Sequence, residues 1–586
     1  MRSVIRTRAL RGLPHSTSPQ PRSGLSILRG RTTQQLPRPS HSYFHSKSRD
    51  ASEALGTSAR LPEAEPVPPV RPRERITIAD IKERRAKAGR LIAPTASYSD
   101  ADMFKDPSIG KPKAKRWDHH LTKESTLREP CKLKQAAKHL KQPGLISLGG
   151  GLPCPEYFPI SSINLRIPVP PHFSEAATMS TPGGEEVHIG KYDASRPDST
   201  IEYDLSIALN YGQANGSAQM TRFVTEHTEL VGPPPYADWR TCLTVGSTGA
   251  LEQTLRMLCD GHGRGDSLLT EEFSFSTALE TAAPLGVKVV GVKMDGEGLL
   301  PESMDAILES WDPNERGGAR KPHVLYTVPS GQNPTGATQG EKRRRAIYEV
   351  ARKHDVFIVE DEPYYYLQMQ KPGTQPPASV EEFLEGLIPT YLSLDVDGRV
   401  LRMDSFSKVV VPGSRLGWIT ASEQIVERFI RHAEVANQGP SGFSQVILHK
   451  LLDERWGHEG YLRWLMNLRM EYTKRRDVMV AACEEFLPKE VVSWNPPQAG
   501  MFHWLKVDHE QHPHASTKSI LENEEEIFNS CISKGVLVAR GSWFRAEQDT
   551  PPSGLYFRAT FAAANPRNMR EAIRRLGEAI RESYKM

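Results

Sequence analysis

An α/β fold on a mostly parallel sheet is expected from three segments in the middle of the chain. Residues 324–328, Val-Leu-Tyr-Thr-Val, form an apolar run that stops at a turn-rich loop, Pro329-Ser-Gly-Gln-Asn-Pro-Thr-Gly336. A helical pattern follows over 341–353, with Ala346, Ile347, Val350 and Ala351 spaced to share one face. A second apolar run, 356–359, ends at Glu360-Asp361-Glu362, and a third, 400–403, ends at Asp404 and leads to Lys408. Strand, helix and strand therefore alternate, with polar residues where each strand stops. Open parallel sheets bind ligands in the crevice beyond the carboxyl ends of their strands. Asn333, Asp361, Ser405, Ser407 and Lys408 all fall at such ends.

A fourth segment adds an anion site. The run 242–245 enters Gly246-Ser-Thr-Gly249, and an amphipathic stretch over 250–258 follows. A strand, a Gly-rich turn and a helix N-terminus together present backbone amides and a positive dipole end, and Ser247 and Thr248 add hydroxyls. The segment Asp404-Ser-Phe-Ser-Lys-Val-Val-Val-Pro-Gly-Ser-Arg415 holds matching chemistry. The amine of Lys408 can bond an aldehyde, while the Ser405 and Ser407 hydroxyls and the Arg415 guanidinium can hold a phosphate. Pyridoxal phosphate carries both groups on one molecule.

In their order, N-P-T-G at Asn333, D-x-x-Y from Asp361 to Tyr364, and S-x-S-K followed by Arg415 resemble the fold-type I, class I/II pyridoxal-phosphate-dependent aminotransferases. The likeness runs from about residue 145 to the end. It is greatest to the aromatic-amino-acid and 2-aminoadipate branch (kynurenine aminotransferase II-like), and above all to fungal aromatic aminotransferases. The resemblance implies an aspartate-aminotransferase-like fold, with a large domain of mostly parallel sheet flanked by helices and a smaller α+β domain from both chain ends. It implies that Lys408 bonds the cofactor and carries protons, and that Asp361 faces the pyridine nitrogen. Tyr364 and Asn333 would bond the ring oxygen, and Ser247, Thr248, Ser405, Ser407 and Arg415 the phosphate. Phe275 would stack on the ring, where many relatives have Tyr. Tyr211 would reach the phosphate of a neighbouring subunit, which makes the protein a homodimer with shared active sites. Arg558 would fork the substrate α-carboxylate, with Asn333, Gly150 and Gly151 beside it. The implied reaction is a ping-pong transfer of the amino group of an L-amino acid (aromatic, kynurenine or 2-aminoadipate) to a 2-oxo acid such as 2-oxoglutarate.

Composition agrees with an enzyme of several domains. The chain has 586 residues, 38% hydrophobic and 25% charged, with a formal net charge of +4 that does not point to nucleic acid. No apolar stretch approaches the ~20 residues of a membrane span. Cys131, Cys154, Cys242, Cys259, Cys483 and Cys531 are scattered without a C-x-x-C, which argues against a zinc site, and no metal is expected. Residues 1–49 lack Asp and Glu and are rich in Arg, Ser and Pro, as in a mitochondrial presequence; a disordered basic tail is the alternative reading.

Residues 50–140 read as a linker and N-terminal arm, with a helix over 77–91 that Thr77 and Asp80 can cap. Residues 141–205 read as the first part of the small domain, in which 166–200 is a surface insertion without periodicity. Residues 206–440 form the large domain and 441–586 the C-terminal small domain. Helices are expected over 441–452, 461–487 and 568–584, and strands over 491–505, 535–539 and 554–557. Tyr472, Arg475 and Arg476 are expected on a solvated face.

Three rivals remain at this level. A nicotinamide dehydrogenase is disfavoured, because the glycine run 261–265 follows a helix and precedes a strand. A regulator with an aminotransferase-like domain would need a helix-turn-helix where the first hundred or so residues are Pro- and Ser-rich. Another pyridoxal-phosphate reaction on the same fold stays open.

Overall fold

The computed structural model describes residues 76–586, apart from 109, 137, 138, 140, 141 and 143. The expected presequence and most of the linker lie outside the described residues, which themselves fall in one compact unit.

The expected first helix spans Ile78–Ala88 and starts with a complete capping box between Thr77 and Asp80. Ile81 is buried on its inner face. Arg84 pairs with Glu229 at 2.6 Å, and Arg85 with Glu226 and, at 2.7 Å, with Asp453, so the helix is tied to the body by buried carboxylates. Residues 166–200 depart from expectation. Strands β1 (Ser162–Ile167) and β2 (Glu185–Gly190) pair as an antiparallel hairpin. Both strands alternate, β1 with Ile163, Leu165 and Ile167 and β2 with Val187 and Ile189 turned inward, and the Pro-rich connection between them hides so short a signal.

The central sheet contains β3 (Trp239–Thr244), β4 (Ser267–Glu271) and β5 (Lys288–Val292). After a small hairpin of β6 (Met294–Asp295) and β7 (Gly298–Leu299), it continues with β8 (Val324–Thr327), β9 (Phe357–Asp361), β10 (Val400–Ser405) and β11 (Gly417–Ser422). The strand order is β3-β11-β10-β9-β8-β4-β5, and only β11 runs antiparallel to its neighbours. The strands β4, β8, β9 and β10 are buried throughout, which is why they read as continuous apolar runs rather than alternating ones.

The helix Glu341–Lys353 matches its expected bounds, but its inner face is Arg344, Ile347, Tyr348 and Ala351; Ala346 is exposed. Two polar side chains replace two apolar ones because each finds a partner inside. Arg344 meets Glu362 at 2.9 Å, and the Tyr348 hydroxyl donates to Asp395 at 2.9 Å.

A second, antiparallel sheet has the order β12-β13-β15-β14, from β12 (Val492–Trp494), β13 (Phe502–Val507), β14 (Ala539–Arg540) and β15 (Leu555–Thr560). Its core packs Leu505 and Phe557 against Met479 of the helix Gly457–Phe486 and against Ile573, Leu576 and Ile580 of the helix Pro566–Tyr584. The strand expected over 535–539 shrinks to Ala539–Arg540, because Gly535 turns the chain at φ 75°. The expected helix 441–452 becomes Gly442–His449 followed by a wider π turn, Lys450–Arg455. Arg476 is not on a solvated face; it is buried and donates to the carbonyls of Gln370 at 2.8 Å and Pro497 at 3.2 Å. All six cysteines are free thiols. No helix among the described residues is long and apolar enough to cross a membrane.

Candidate active site

Three adjacent parallel strands, β8, β9 and β10, end side by side and release the predicted residues into one crevice. From β9, Asp361 is 5% exposed and accepts a hydrogen bond from the Tyr326 hydroxyl at 2.9 Å through Oδ2. Its Oδ1 is buried and has no partner among the described residues. Burial pushes this carboxyl up to about 7; Tyr326 and the charge of Lys408 oppose the rise, and Glu362 and Asp404 add to it. An unpartnered buried acceptor of this kind calls for an external cationic donor, and a protonated pyridine nitrogen has that chemistry.

Past the end of β10, the Ser405 hydroxyl donates to Ser407 Oγ at 2.9 Å and accepts from the Ser407 amide at 3.1 Å. Lys408 follows, half-buried between these serines and Val409, which anchors the turn in the core. Its ammonium makes no ion pair or hydrogen bond among the described residues. Burial, and next the charge of Arg415, hold its pKa below the usual lysine range, as does Arg558; Asp361 pulls the other way.

The phosphate-type donors converge from two elements. Arg415, in the left-handed region at φ 47°, donates to Ser407 Oγ at 3.2 Å. The helix Gly246–Leu258 points its N-terminus at the same place, with no side-chain cap and no acidic residue in its first turn. Gly246 has φ 69°, and a Cβ there would collide with the Arg415 guanidinium. Ser247 Oγ is buried without a partner among the described residues, and Thr248 is exposed beside it. This cradle of hydroxyls, helix amides and a guanidinium, together with the orphaned Asp361 Oδ1 and the free Lys408 amine, fits pyridoxal phosphate.

The substrate side is built by β15 and β13 of the second sheet. Arg558 is half-buried and donates to Asn333 Oδ1 at 2.7 Å. Its guanidinium lies 4.3 Å from the ring centre of Phe502 and 4.6 Å from that of Phe544. It has no carboxylate partner among the described residues, and burial lowers its pKa. Tyr364 is buried and stands edge-on to Phe502 at 5.8 Å; burial raises its hydroxyl pKa, with the Asp361 charge adding to the rise. A bracketed guanidinium with one hydrogen bond filled retains the geometry to bind a planar anion in two-toothed fashion.

Three expected residues, Tyr211, Gly150 and Gly151, stay outside this cluster within a single chain. Tyr211 is 55% exposed, and the segment containing Gly150 and Gly151 is exposed, with Ile146 at 88% and Leu148 at 94%. Phe275 is half-buried against the apolar cluster that contains Tyr326 and Tyr364. Four contributors escaped the sequence reading: Tyr326, Gly246 as the space for Arg415, and the Phe502 and Phe544 bracket. The hydroxyl of Tyr326 inside an otherwise apolar strand was the one available signal.

Known proteins are similar to this chain in sequence and fold. The family model for aminotransferase class I and II matches residues 208–576. An aromatic amino acid aminotransferase of Schizosaccharomyces pombe is 44% identical over 80% of this chain and 98% of its own length. An L-tyrosine:2-oxoglutarate aminotransferase of Serpula lacrymans is 35% identical over 74% of this chain and 85% of its own. The crystal structure of aminotransferase Aro8 from Candida albicans superposes with a TM-score of 0.75 at 40% identity, covering 81% of this chain and all of that one. The chain therefore belongs to the class I and II aminotransferases and transfers an amino group from an amino acid to a 2-oxo acid.

Proposed function

We propose that this aminotransferase takes its amino group from an aromatic L-amino acid and delivers it to 2-oxoglutarate, with pyridoxal phosphate as cofactor and as a homodimer. The observation that carries this reading is Arg558, a half-buried guanidinium with no carboxylate partner among the described residues, bracketed by Phe502 and Phe544 and electrostatically coupled to Lys408. The bracket holds the fork in place, so the α-carboxylate of either substrate binds in one orientation.

When bound, the cofactor supplies an electron-withdrawing ring that acidifies the substrate Cα–H. The chain supplies the rest. Asp361 Oδ1 would accept from the ring nitrogen and favour its protonated form. Ser405, Ser407, Arg415, Ser247, Thr248 and the amides of the helix Gly246–Leu258 would hold the phosphate. Lys408 Nζ, kept below its usual pKa by burial and by Arg415, has the free amine form needed to take the Cα proton and return it. Tyr364 and Asn333 would bond the ring oxygen of the cofactor, and Asn333 also accepts a hydrogen bond from Arg558. Phe275 provides an aromatic face. The aromatic donor and the 2-oxoglutarate acceptor are supported by the activities named for the relatives.

The dimer is supported by the exposure of Ile146, Leu148 and Tyr211, an apolar and aromatic surface next to the glycines of the substrate segment. Light scattering that finds only a monomer at micromolar concentration would remove it. The acid-free composition of residues 1–49 supports mitochondrial import; cytosolic retention of a fluorescent fusion to that segment would exclude it.

The test is the visible spectrum of the cofactor-loaded protein during addition of L-phenylalanine, L-tyrosine, L-kynurenine or L-2-aminoadipate, one at a time. The bound-cofactor band should disappear with the aromatic donors and return with 2-oxoglutarate. Conversion by 2-aminoadipate alone would overturn the aromatic assignment. Lys408→Ala should remove both the band and turnover while the protein still folds.

A further inference from the structure

A second cluster of chemistry-bearing side chains lies at the other end of the central sheet, independent of the transaminase reading. Asp355 occupies the turn between the helix Glu341–Lys353 and β9, at the amino end of the strand whose carboxyl end is Asp361. The two aspartates are six positions apart, which at 3.3 Å per residue separates the places by roughly 20 Å. Facing Asp355 is the short turn Asp118–His120. His119 Nε2 lies 2.8 Å from Asp355 Oδ2, and His120 Nε2 lies 3.3 Å from the same oxygen. All three residues bring a ligand atom to within 4.8 Å of one another.

Two features separate this group from an ordinary surface pair. His120 is 3% exposed, yet neither of its ring nitrogens completes a hydrogen bond among the described residues, Nε2 standing 3.3 Å from Asp355 Oδ2. Its ring is clamped between Trp117 at 5.6 Å and His323 at 4.9 Å, so the direction of Nε2 toward Asp355 is fixed by packing. A buried imidazole normally spends its polar atoms on partners, and one left open while aimed at a carboxylate has a lone pair available. The second feature is the spacing. Tetrahedral zinc at its usual ~2.0–2.2 Å distances sets neighbouring N and O ligands about 3.3 Å apart, close to the separations seen here.

We propose that His119, His120 and Asp355 form a binding site for a divalent transition-metal ion of the zinc class, tying the 118–120 turn to the base of β9. The donor set of two imidazoles and one carboxylate suits such an ion and leaves a coordination position for water, because His119 and Asp355 are each 55% exposed. The expectation of no metal came from the scattered cysteines; the adjacent pair His119-His120 was the sequence signal it passed over. A neighbouring group, Asp305, Glu309 and His354, is chemically different, because the Lys353 ammonium already sits on Asp305 at 2.9 Å and Glu309 at 3.2 Å.

The test is calorimetric titration of Zn²⁺ alone into tag-free, cofactor-loaded enzyme previously stripped with chelator. One saturable ion per chain is expected. His119→Ala and Asp355→Asn, both at half-exposed positions, should each weaken it at least about tenfold, no less than the loss of an outer-shell support. Unchanged cofactor absorbance would verify their folding, and His354→Ala should bind as the parent does. Absence of saturable binding, or equal binding by His119→Ala, would overturn the proposal. Anomalous scattering at the zinc edge in crystals of the loaded enzyme should place the ion between the three side chains.

Discussion

Tyr326 and Arg558 act on opposite sides of the crevice, and each does work no other residue duplicates. Tyr326 holds Asp361 Oδ2, leaving Oδ1 as the one acceptor for the cofactor. Tyr326→Phe removes a hydrogen bond to a charged group, worth about 1.5–3 kcal/mol. Cofactor affinity should fall by roughly ten- to a hundredfold, read from the dissociation constant in an absorbance titration. An unchanged constant would mean that Asp361 is oriented by something else. Arg558→Gln keeps a donor but loses charge and fork. The apparent KM of both the amino acid and the 2-oxo acid should rise by about ten- to a hundredfold or more, with a smaller change in kcat. A rise for only one substrate would separate the two carboxylate sites.

At the scale of the element, the helix Gly246–Leu258 is placed so that its first turn and Arg415 share one anion. Gly246 makes this possible, since its positive φ and missing Cβ leave room for the guanidinium. Gly246→Ala should strain the backbone by about 1 kcal/mol or more and displace Arg415. Cofactor retention should then drop much more than global stability, seen as loss of bound cofactor on gel filtration with the unfolding temperature lowered by only a few degrees. Full retention would show that the guanidinium has another place to go. The helix Glu341–Lys353 makes a related point. Its bounds were legible from spacing, but its inner face was not, because Arg344 and Tyr348 are buried against partners from the residue after β9 and from the segment before β10. Periodicity counts apolar atoms and has no knowledge of carboxylates supplied from elsewhere. The same blindness placed Arg476 in solvent, when carbonyls from distant loops satisfy it.

Across the whole molecule, burial of carboxyls beneath the site has a consequence for stability. In the cofactor-free chain Asp361 is pushed up to about 7 from an ordinary 3.8, Glu360 up to about 7 and Asp395 up to about 6. Between about pH 4 and pH 7 the unfolded chain has already released protons that the folded chain still holds. Stability contributed by these groups is therefore complete below the unfolded values and is lost as pH rises through the folded ones. Thermal unfolding of the cofactor-free protein should show a falling temperature over that window, and Asp361→Asn should flatten the slope. Identical slopes would mean that Asp361 is already ionised in the folded chain.

The sequence by itself determined the strands that end in the crevice and the residues that leave them. Buried parallel strands must be apolar along their whole length, so Asp361, Asn333 and Lys408 stand out where each run stops. It also determined the helix starts that carry their own caps, as at Thr77. The tertiary structure alone decided which charges are paired and which are left for a ligand. Nothing in the spacing around Asp361 shows that one oxygen meets Tyr326 and the other meets nothing. Nor could it show that Phe502, from β13, and Phe544, from the connection between β14 and β15, bracket Arg558. Those facts depend on burial and on partners far apart in the chain, and only the packed molecule brings them together.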